Sequence, residues 1–340
     1  MADLRRFART WEGLLLFLLI VIVVANAVTV RNYLQPQNQV NLLTLGIEKA
    51  IVALVMAFVI IGGEIDLSVA SIMGLAAILF AWSIDQGVAP EIAVLIALGA
   101  GLLCGLNNAF WVARVGLPSL AVTLAGLIGY RGLALMFIED GSLGGFPDWF
   151  QSLGQRAMLG PIPFSVLFFF GLLVVAAIVL HRTGFGRLVY VVGNNTAVAR
   201  YSGVQVPRVK GALFLMSGLV AAAAGLLLAA RFGSVRGSIA QGFELDVITI
   251  VLFGGVSIFG GRGSMLGVFL SILVILNLRN GMSLLGASGN LQTGVIGALL
   301  ILSVLLPNIL SDVRRSLARR SLRGGGAPAS DAMSPSGGAA

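Results

Sequence analysis

The chain has 340 residues, of which 58% are hydrophobic and only 11% are charged. Soluble domains are about 45–50% apolar and about 25% charged, so a water-soluble fold is excluded and the surrounding medium must be lipid. The formal net charge of +8 does not indicate a nucleic-acid partner, because the basic residues lie in short loops and tails rather than on one face.

Ten apolar segments approach the length of about 20 residues that a helix needs to cross a bilayer. The sequence therefore predicts an all-α, polytopic membrane bundle of about ten transmembrane helices. The predicted spans are Leu14–Val30, Thr44–Ile61, Val69–Ile84, Ile92–Val112, Leu117–Ile138, Phe164–His181, Gly211–Ala230, Leu245–Phe259, Met265–Leu278 and Leu291–Leu310. The third, eighth and ninth are short, which is typical of tilted, re-entrant or broken helices.

Lysine and arginine are unevenly divided between the two sides that these spans define. Fifteen lie on the N-terminal side and five on the other, and Lys49 and Arg131 fall within spans, which accounts for all 22. Cytoplasmic loops are enriched in these residues, so both termini are predicted to be cytoplasmic. Residues 1–13 then form a cytoplasmic N-terminus, 14–310 the transmembrane domain, and 311–340 a cytoplasmic tail that is basic and then disordered.

The first span has an alternative interpretation. Arg5, Arg6 and Arg9 precede an apolar run that reaches Ala25-Asn26-Ala27, which is also the pattern of a cleaved signal peptide. A retained span is preferred, because the apolar run continues to Val30 and membrane insertion needs no such peptide.

Two carboxylates lie in a polar break between the second and third spans, Gly62-Gly63-Glu64-Ile65-Asp66-Leu67-Ser68. Charges at the bilayer centre cost about 2.5–3.5 kcal/mol each, so their placement needs a reason. One interpretation is a solvated turn in which Ser68 or Asp66 caps the next helix. The other is that Glu64 and Asp66 line the transport path, because irregular backbone at membrane depth must face protein or water.

A similar run, Phe243-Glu244-Leu245-Asp246-Val247, lies near the eighth span on the opposite side of the membrane. An inverted five-plus-five repeat would produce this arrangement, and chance similarity is the alternative. Glu244 and Asp246 are therefore further candidates for the path. Arg131, about 14 residues or roughly 21 Å into its span, is another, unless its side chain extends outward towards residues 139–140.

The densest glycine cluster is Gly254–Ser264, and it lacks the Lys-Ser/Thr pair of a phosphate-binding loop. Its glycines are predicted to let backbones approach closely. The same packing role is predicted for Gly101, Gly105, Gly126, Gly129 and Gly132.

The connection Arg182–Lys210 is about 29 residues long, whereas helices are usually joined by 2–8 residues. It contains the turn Gly193-Asn194-Asn195 and a short run, Thr196–Tyr201, that can form a helix capped by Asn195 or Thr196. This basic connection either only orients the chain or docks a cytoplasmic protein. Docking is preferred, because long connections tend to be functional.

Several segments together resemble the ribose/galactose/xylose-type permease subunits of bacterial ABC sugar importers. They are the break at residues 62–68, Pro118-Ser119 with Val122-Thr123-Leu124, Arg182-Thr183-Gly184-Phe185-Gly186-Arg187 with Tyr190-Val191-Val192-Gly193-Asn194-Asn195, and the run from Glu244 to Gly263. The resemblance extends from Thr44 to Gly267. The family often has Gly-Ile-Asp-Leu-Ser, and the variant with Glu64 between Gly63 and Ile65 is similar to the rhamnose-type members or to those for related signal sugars.

This resemblance implies a multi-pass protein of the bacterial inner membrane that pairs with a second permease copy or homologue. It also implies cytoplasmic ATP-binding subunits, which hold ATP and Mg²⁺, and a periplasmic sugar-binding protein, while this chain itself holds no cofactor. By the family pattern, the residues that couple to the ATPase are Gly193, Asn194, Asn195, Ala197, Ala199 and Gly203. The implied function is import of a ribose-, xylose- or rhamnose-like monosaccharide by alternating access.

Two other function classes fit the sequence less well. An ion-coupled secondary transporter needs carboxylates at the midplane of the membrane, whereas Glu64 and Asp66 lie near the end of a span. A membrane-bound enzyme or metalloprotein needs a cluster of reactive side chains, and the single Cys104 and single His181 provide little.

Overall fold

The computed structural model describes residues 10–138, 141–159, 162–299, 301–302 and 305. In chain order the helices are α1 Trp11–Thr29, α2 Pro36–Thr44, α3 Ile47–Ile61, α4 Val69–Asp85, α5 Pro90–Ala109 with the π-helical extension Phe110–Val115, α6 Ser119–Ile138, α7 Asp148–Gln155, α8 Phe164–Arg182, α9 Gly184–Asn194, α10 Thr196–Tyr201, α11 Val206–Phe232, α12 Phe243–Phe253, α13 Met265–Leu284 and α14 289–299. The strands are β1 Ser142–Gly144, β2 Ala157–Leu159, β3 Ile162–Pro163 and β4 Ser234–Arg236. Strand β1 pairs antiparallel with β4, and β2 with β3.

Within the described residues, six helices are long and apolar enough to cross a membrane, and the bent pair α2–α3 is a seventh candidate. The prediction of an all-α, polytopic membrane protein is therefore confirmed. Helix length alone does not give ten spans, because α4 has 17 residues and α12 only 11. The tenth predicted span lies partly outside the described residues.

Two predicted spans differ from the observed helices because of glycines. The second is not one straight helix, since α2 and α3 meet at a 47° bend around Gly46. The eighth was predicted to reach Phe259, but α12 ends at Phe253. Gly254 and Gly255 follow, and Gly255 has a φ of 84°, a left-handed conformation that ends the helix.

The ninth predicted span ends too early, at Leu278, whereas α13 continues to Leu284. Polar residues that suggest a helix end are paired inside the bundle instead. Arg279 donates to Asp246 at 2.8 Å, and the side chains of Asn280 and Asn38 are hydrogen-bonded to each other at 3.0 Å.

Helix α11 packs against α3, α4 and α5. Gly101 and Gly105 of α5 contact Gly218 of α11 so closely that a methyl group at Gly105 would lie 2.6 Å from the Phe214 carbonyl oxygen. Their predicted packing role is confirmed. Gly126 is also closely packed, as predicted. The prediction is wrong for two other glycines of α6, which face open space: Gly129 and Gly132.

Helix α1 is bonded to the rest of the bundle at both of its ends. The Trp11 indole donates to the Phe253 carbonyl oxygen at 2.9 Å, and the Asn26 amide donates to the Asn277 carbonyl oxygen at 2.9 Å. The retention of this first span stays a prediction.

The two ends of α3 have different chemistry. Lys49 in its first turn contacts Asp246, and we call this the ion-pair end of the bundle. Beyond its last turn, Gly63 lies against Gly193 and Gly260, and we call this the glycine end. At 1.5 Å per residue, the ends are about 18 Å apart along α3.

Candidate functional site

The connection predicted as a loop is mostly helical, because α9, α10 and the first turn of α11 lie within it. Asn195 begins α10, and its side-chain oxygen accepts hydrogen bonds from the backbone N–H groups of Ala197 and Val198, both at 3.0 Å. The predicted helix over Thr196–Tyr201 is therefore confirmed, and of the two candidate caps, Asn195 and Thr196, Asn195 is the cap.

Helix α10 is not one of the candidate membrane spans, and it has an exposed apolar surface. Val198 and Tyr201 are 56% and 94% exposed, and Ala197 is exposed beside them. Ala199, predicted to contact the ATPase, is fully buried within its own chain. A partner can therefore contact Ala197 directly, and the prediction of direct contact is wrong for Ala199.

Gly193 joins the end of α9 to the glycine end of the bundle. The Gly261 N–H donates to the Ile61 carbonyl oxygen at 2.8 Å, and Gly193 lies against both groups. A methyl group at Gly193 would overlap that carbonyl oxygen and lie 2.8 Å from the Gly261 nitrogen. Gly63 and Gly260, which surround it, each have a φ of 80°. Only glycines permit this backbone contact.

The remaining predicted coupling residues lie next to this contact. Asn194 is exposed and lies against Gly261, so it is at the edge of the glycine end. Gly203, with a φ of 80° and open surroundings, forms the turn between α10 and α11.

Glu64 is only 6% exposed and forms an ion pair with Lys210 in the first turns of α11. The pair connects the turn after α3 to α11 at the glycine end. The charge of Glu64 is therefore neutralised by Lys210 of a neighbouring helix. The alternative interpretation from the sequence, a solvated turn, does not describe this buried side chain.

Asp66 is fully buried, and within the described residues it pairs with no cation. One carboxylate oxygen accepts from the Ser68 backbone N–H at 2.9 Å and from the Ser68 hydroxyl at 2.6 Å. The other oxygen accepts from the Ser217 hydroxyl of α11 at 2.7 Å. The predicted capping is therefore wrong for both residues: the only backbone N–H from which Asp66 accepts is that of Ser68, which precedes α4, and the Ser68 side chain caps no backbone group.

A chain of hydrogen bonds continues from Ser68 across α5 and α6. The Asn108 amide donates to the Ser68 hydroxyl at 2.8 Å, and the Tyr130 hydroxyl donates to the Asn108 oxygen at 2.8 Å. The Asn107 amide donates to Tyr130 at 2.9 Å, and the Trp111 indole donates to Asn107 at 3.2 Å. Every bond donates in the direction of the buried carboxylate, so the chain supports a negative charge there.

Asp66→Ala is expected to lower the midpoint of thermal unfolding of the detergent-purified protein. The change leaves the hydroxyls of Ser68 and Ser217 without their acceptor, and each stranded buried group costs about 1–3 kcal/mol. The exposed Asp85→Ala at the other end of α4 is the control and should unfold like the wild type. Equal midpoints for both variants would contradict this role.

The ion-pair end holds the other predicted path residues. Asp246 accepts hydrogen bonds from both Lys49 and Arg279. The Arg131 guanidinium donates to the Ile239 carbonyl oxygen at 2.8 Å, and one Glu244 carboxylate oxygen is buried without a hydrogen bond within the described residues. The alternative partners of Arg131, at 139–140, lie outside the described part of the chain.

The two acidic pairs thus lie at opposite ends of the bundle, as an inverted repeat requires, and the repeat itself stays a prediction. Three cations neutralise Glu64 and Asp246 and were not predicted from the sequence: Lys210, Lys49 and Arg279. The ion pair in which the Arg231 guanidinium donates to buried Glu48 at 2.7 Å was not predicted either. These ion pairs could have been expected from the sequence, because charged side chains within apolar segments must be paired.

Comparison with known proteins identifies the protein family of this chain. Residues 38–304 match the family model described as branched-chain amino acid transport system / permease component. This chain belongs to that family of transport permeases. The family consists of transport proteins rather than enzymes, and the resemblance inferred from the sequence is confirmed.

Two curated relatives are import permeases. The ribose import permease protein RbsC of Bacillus subtilis is 35% identical over 293 residues, which cover 86% of this chain and 90% of the relative. The autoinducer 2 import system permease protein LsrD of Yersinia enterocolitica is 36% identical over 260 residues, covering 75% and 78%. No solved structure matches the chain.

Proposed function

We propose that this chain is the membrane-spanning permease of an ATP-driven importer for a monosaccharide or a similar small polyol. The similarity to a ribose import permease over 86% of the chain carries the proposal. The family description names branched-chain amino acids, but the name of the ribose import permease favours a sugar-like solute.

Two cytoplasmic ATP-binding subunits, one for each permease of a pair, are proposed to dock on α10 and to hold ATP and Mg²⁺. The exposed Val198 and Tyr201 support this, because a helix of six residues is stable only when packed. Movement of the docked subunits reaches the bundle through Gly193 and the Glu64–Lys210 ion pair. A second permease copy or homologue and a periplasmic sugar-binding protein complete the proposed importer.

The glycine end is proposed to face the cytoplasm of a bacterial inner membrane, with both termini on that side. Reporter fusions should give a cytoplasmic signal at Ala340 and an external signal between Asp140 and Pro163. The uneven division of lysine and arginine is the physical reason. An external signal at Ala340 would reverse the orientation.

The function is tested by purification and uptake. Affinity purification of this chain from its native membrane should recover a P-loop ATPase, and the purified chain alone should hydrolyse no ATP. Cells that carry the whole system should take up labelled D-ribose, and deletion of this gene should abolish uptake. Uptake of L-leucine in place of D-ribose would overturn the sugar assignment, and ATP hydrolysis by this chain alone would overturn the permease assignment.

A further inference from the structure

A cavity of about 170 Å³ lies at the ion-pair end, between α2, α3, α12, α13 and α14. Its floor includes the buried side chains of Ala50, Ile250 and Ile272. An apolar cavity of about 150 Å³ is known to hold benzene, so this cavity has room for one six-membered ring.

One wall of the cavity carries the ion cluster of Lys49, Asp246 and Arg279. Two cations share one carboxylate, so the cluster has one surplus positive charge. An ammonium group has three N–H donors and a guanidinium group has five, which leaves donors beyond those that contact Asp246. Donors and an acceptor therefore stand side by side above an apolar floor, as is typical of a ligand pocket.

The rim adds uncharged polar groups. Ser283 is exposed at the rim, and its hydroxyl has no hydrogen-bonding partner within the described part of the chain. The Gln292 amide donates to the Ala287 carbonyl oxygen at 3.1 Å, which leaves the Gln292 oxygen as an acceptor. The same cavity is thus lined by polar side chains such as Ser283 and Gln292 and by the buried apolar side chains of Ala50, Ile250 and Ile272.

We propose that this cavity binds one neutral, polyhydroxylated ring during import, with the cluster of Lys49, Asp246 and Arg279 hydrogen-bonded to its hydroxyl groups. The inference rests on the proposed function, because the bound ring is the sugar that the importer carries. It places the binding site for that sugar within a single permease chain. The C–H face of such a ring fits the apolar floor, and its hydroxyls both accept from the cations and donate to Asp246. A wholly apolar solute would instead cover the surplus charge without replacing its hydration.

Ser283→Cys provides a direct test, because the only native cysteine, Cys104, is 8% exposed. The intact importer in membrane vesicles is treated with a charged, impermeant methanethiosulfonate, with and without excess D-ribose. D-ribose is expected to slow modification of Ser283→Cys several-fold. Leu284→Cys, on the same helix but outside the cavity, is the control, and its modification should not slow.

A second pair of variants tests transport. Ser283→Trp, which fills the cavity mouth, should abolish D-ribose uptake while the ATPase still co-purifies, and Leu284→Trp should transport normally. Uptake by the wild type without protection of Ser283→Cys would overturn this site and leave the proposed function standing. Protection by inorganic phosphate instead of D-ribose would make it an anion site and overturn the polyol assignment. A wild-type system that takes up no D-ribose would overturn the proposed function and this site together.

Discussion

Replacing Gly193 with alanine is expected to abolish uptake and to lower the midpoint of thermal unfolding. The added methyl group would overlap the Ile61 carbonyl oxygen and lie 2.8 Å from the Gly261 nitrogen, and both are backbone atoms that cannot rotate away. Overpacking a close contact typically costs about 1–3 kcal/mol. Helix α9 would have to separate from the glycine end, and the proposed route from the ATPase to the bundle would be broken.

Gly211→Ala is the matched control. Gly211 lies inside α11 near the same end, and nothing lies within 4 Å of a methyl group added there. Alanine in a helix interior is favoured over glycine by about 0.5–1 kcal/mol, so this variant should be at least as stable as the wild type. Uptake in cells and unfolding of the purified protein are the two measurements. Normal values for both variants would show that the contact at Gly193 is dispensable.

Val198→Glu is expected to abolish uptake and the co-purification of the ATPase while the permease itself folds and inserts normally. Val198 is 56% exposed on α10, so the charge does not disturb the chain's own core. At a packed interface with a partner, however, a carboxylate would be buried without a counter-charge.

Val198→Thr is the control, because it keeps the branched shape and adds only a hydroxyl group that water can reach in the free chain. It should retain most of the uptake. Ala199→Glu is a third variant with a different expected result: it should reduce the amount of folded permease, because Ala199 is fully buried. If Val198→Glu leaves both uptake and co-purification normal, α10 is not the docking element.

Local signals in the sequence predicted the fold class and part of the candidate site. The high apolar fraction required a membrane bundle, and the Asn195 cap with the run Thr196–Tyr201 predicted α10 correctly because capping involves neighbouring residues only. The polar break at Glu64 and Asp66 was also found, because two carboxylates between apolar segments stand out without any knowledge of the fold.

Contacts between distant residues account for the errors. The end of α13 was misplaced because Arg279 is held by Asp246, 33 residues away, which no local pattern reveals. The burial of Ala199 depends on how α10 lies on the bundle, and a run of six residues does not specify its buried face. Gly129 was given a packing role because glycine spacing alone does not say which side of a helix meets another helix.

The glycine contact between α5 and α11 restricts how the bundle can move. Sliding the helices by one turn, about 5.4 Å, would bring Ala97 or Ala109 to a position that now holds a glycine. The extra Cβ atom would meet α11 backbone at a distance that real contacts do not reach, so shear between these helices is blocked. Helices α5 and α11 must instead rotate together as one rigid unit. Helix α11 is about 40 Å long and carries Lys210 in its first turns.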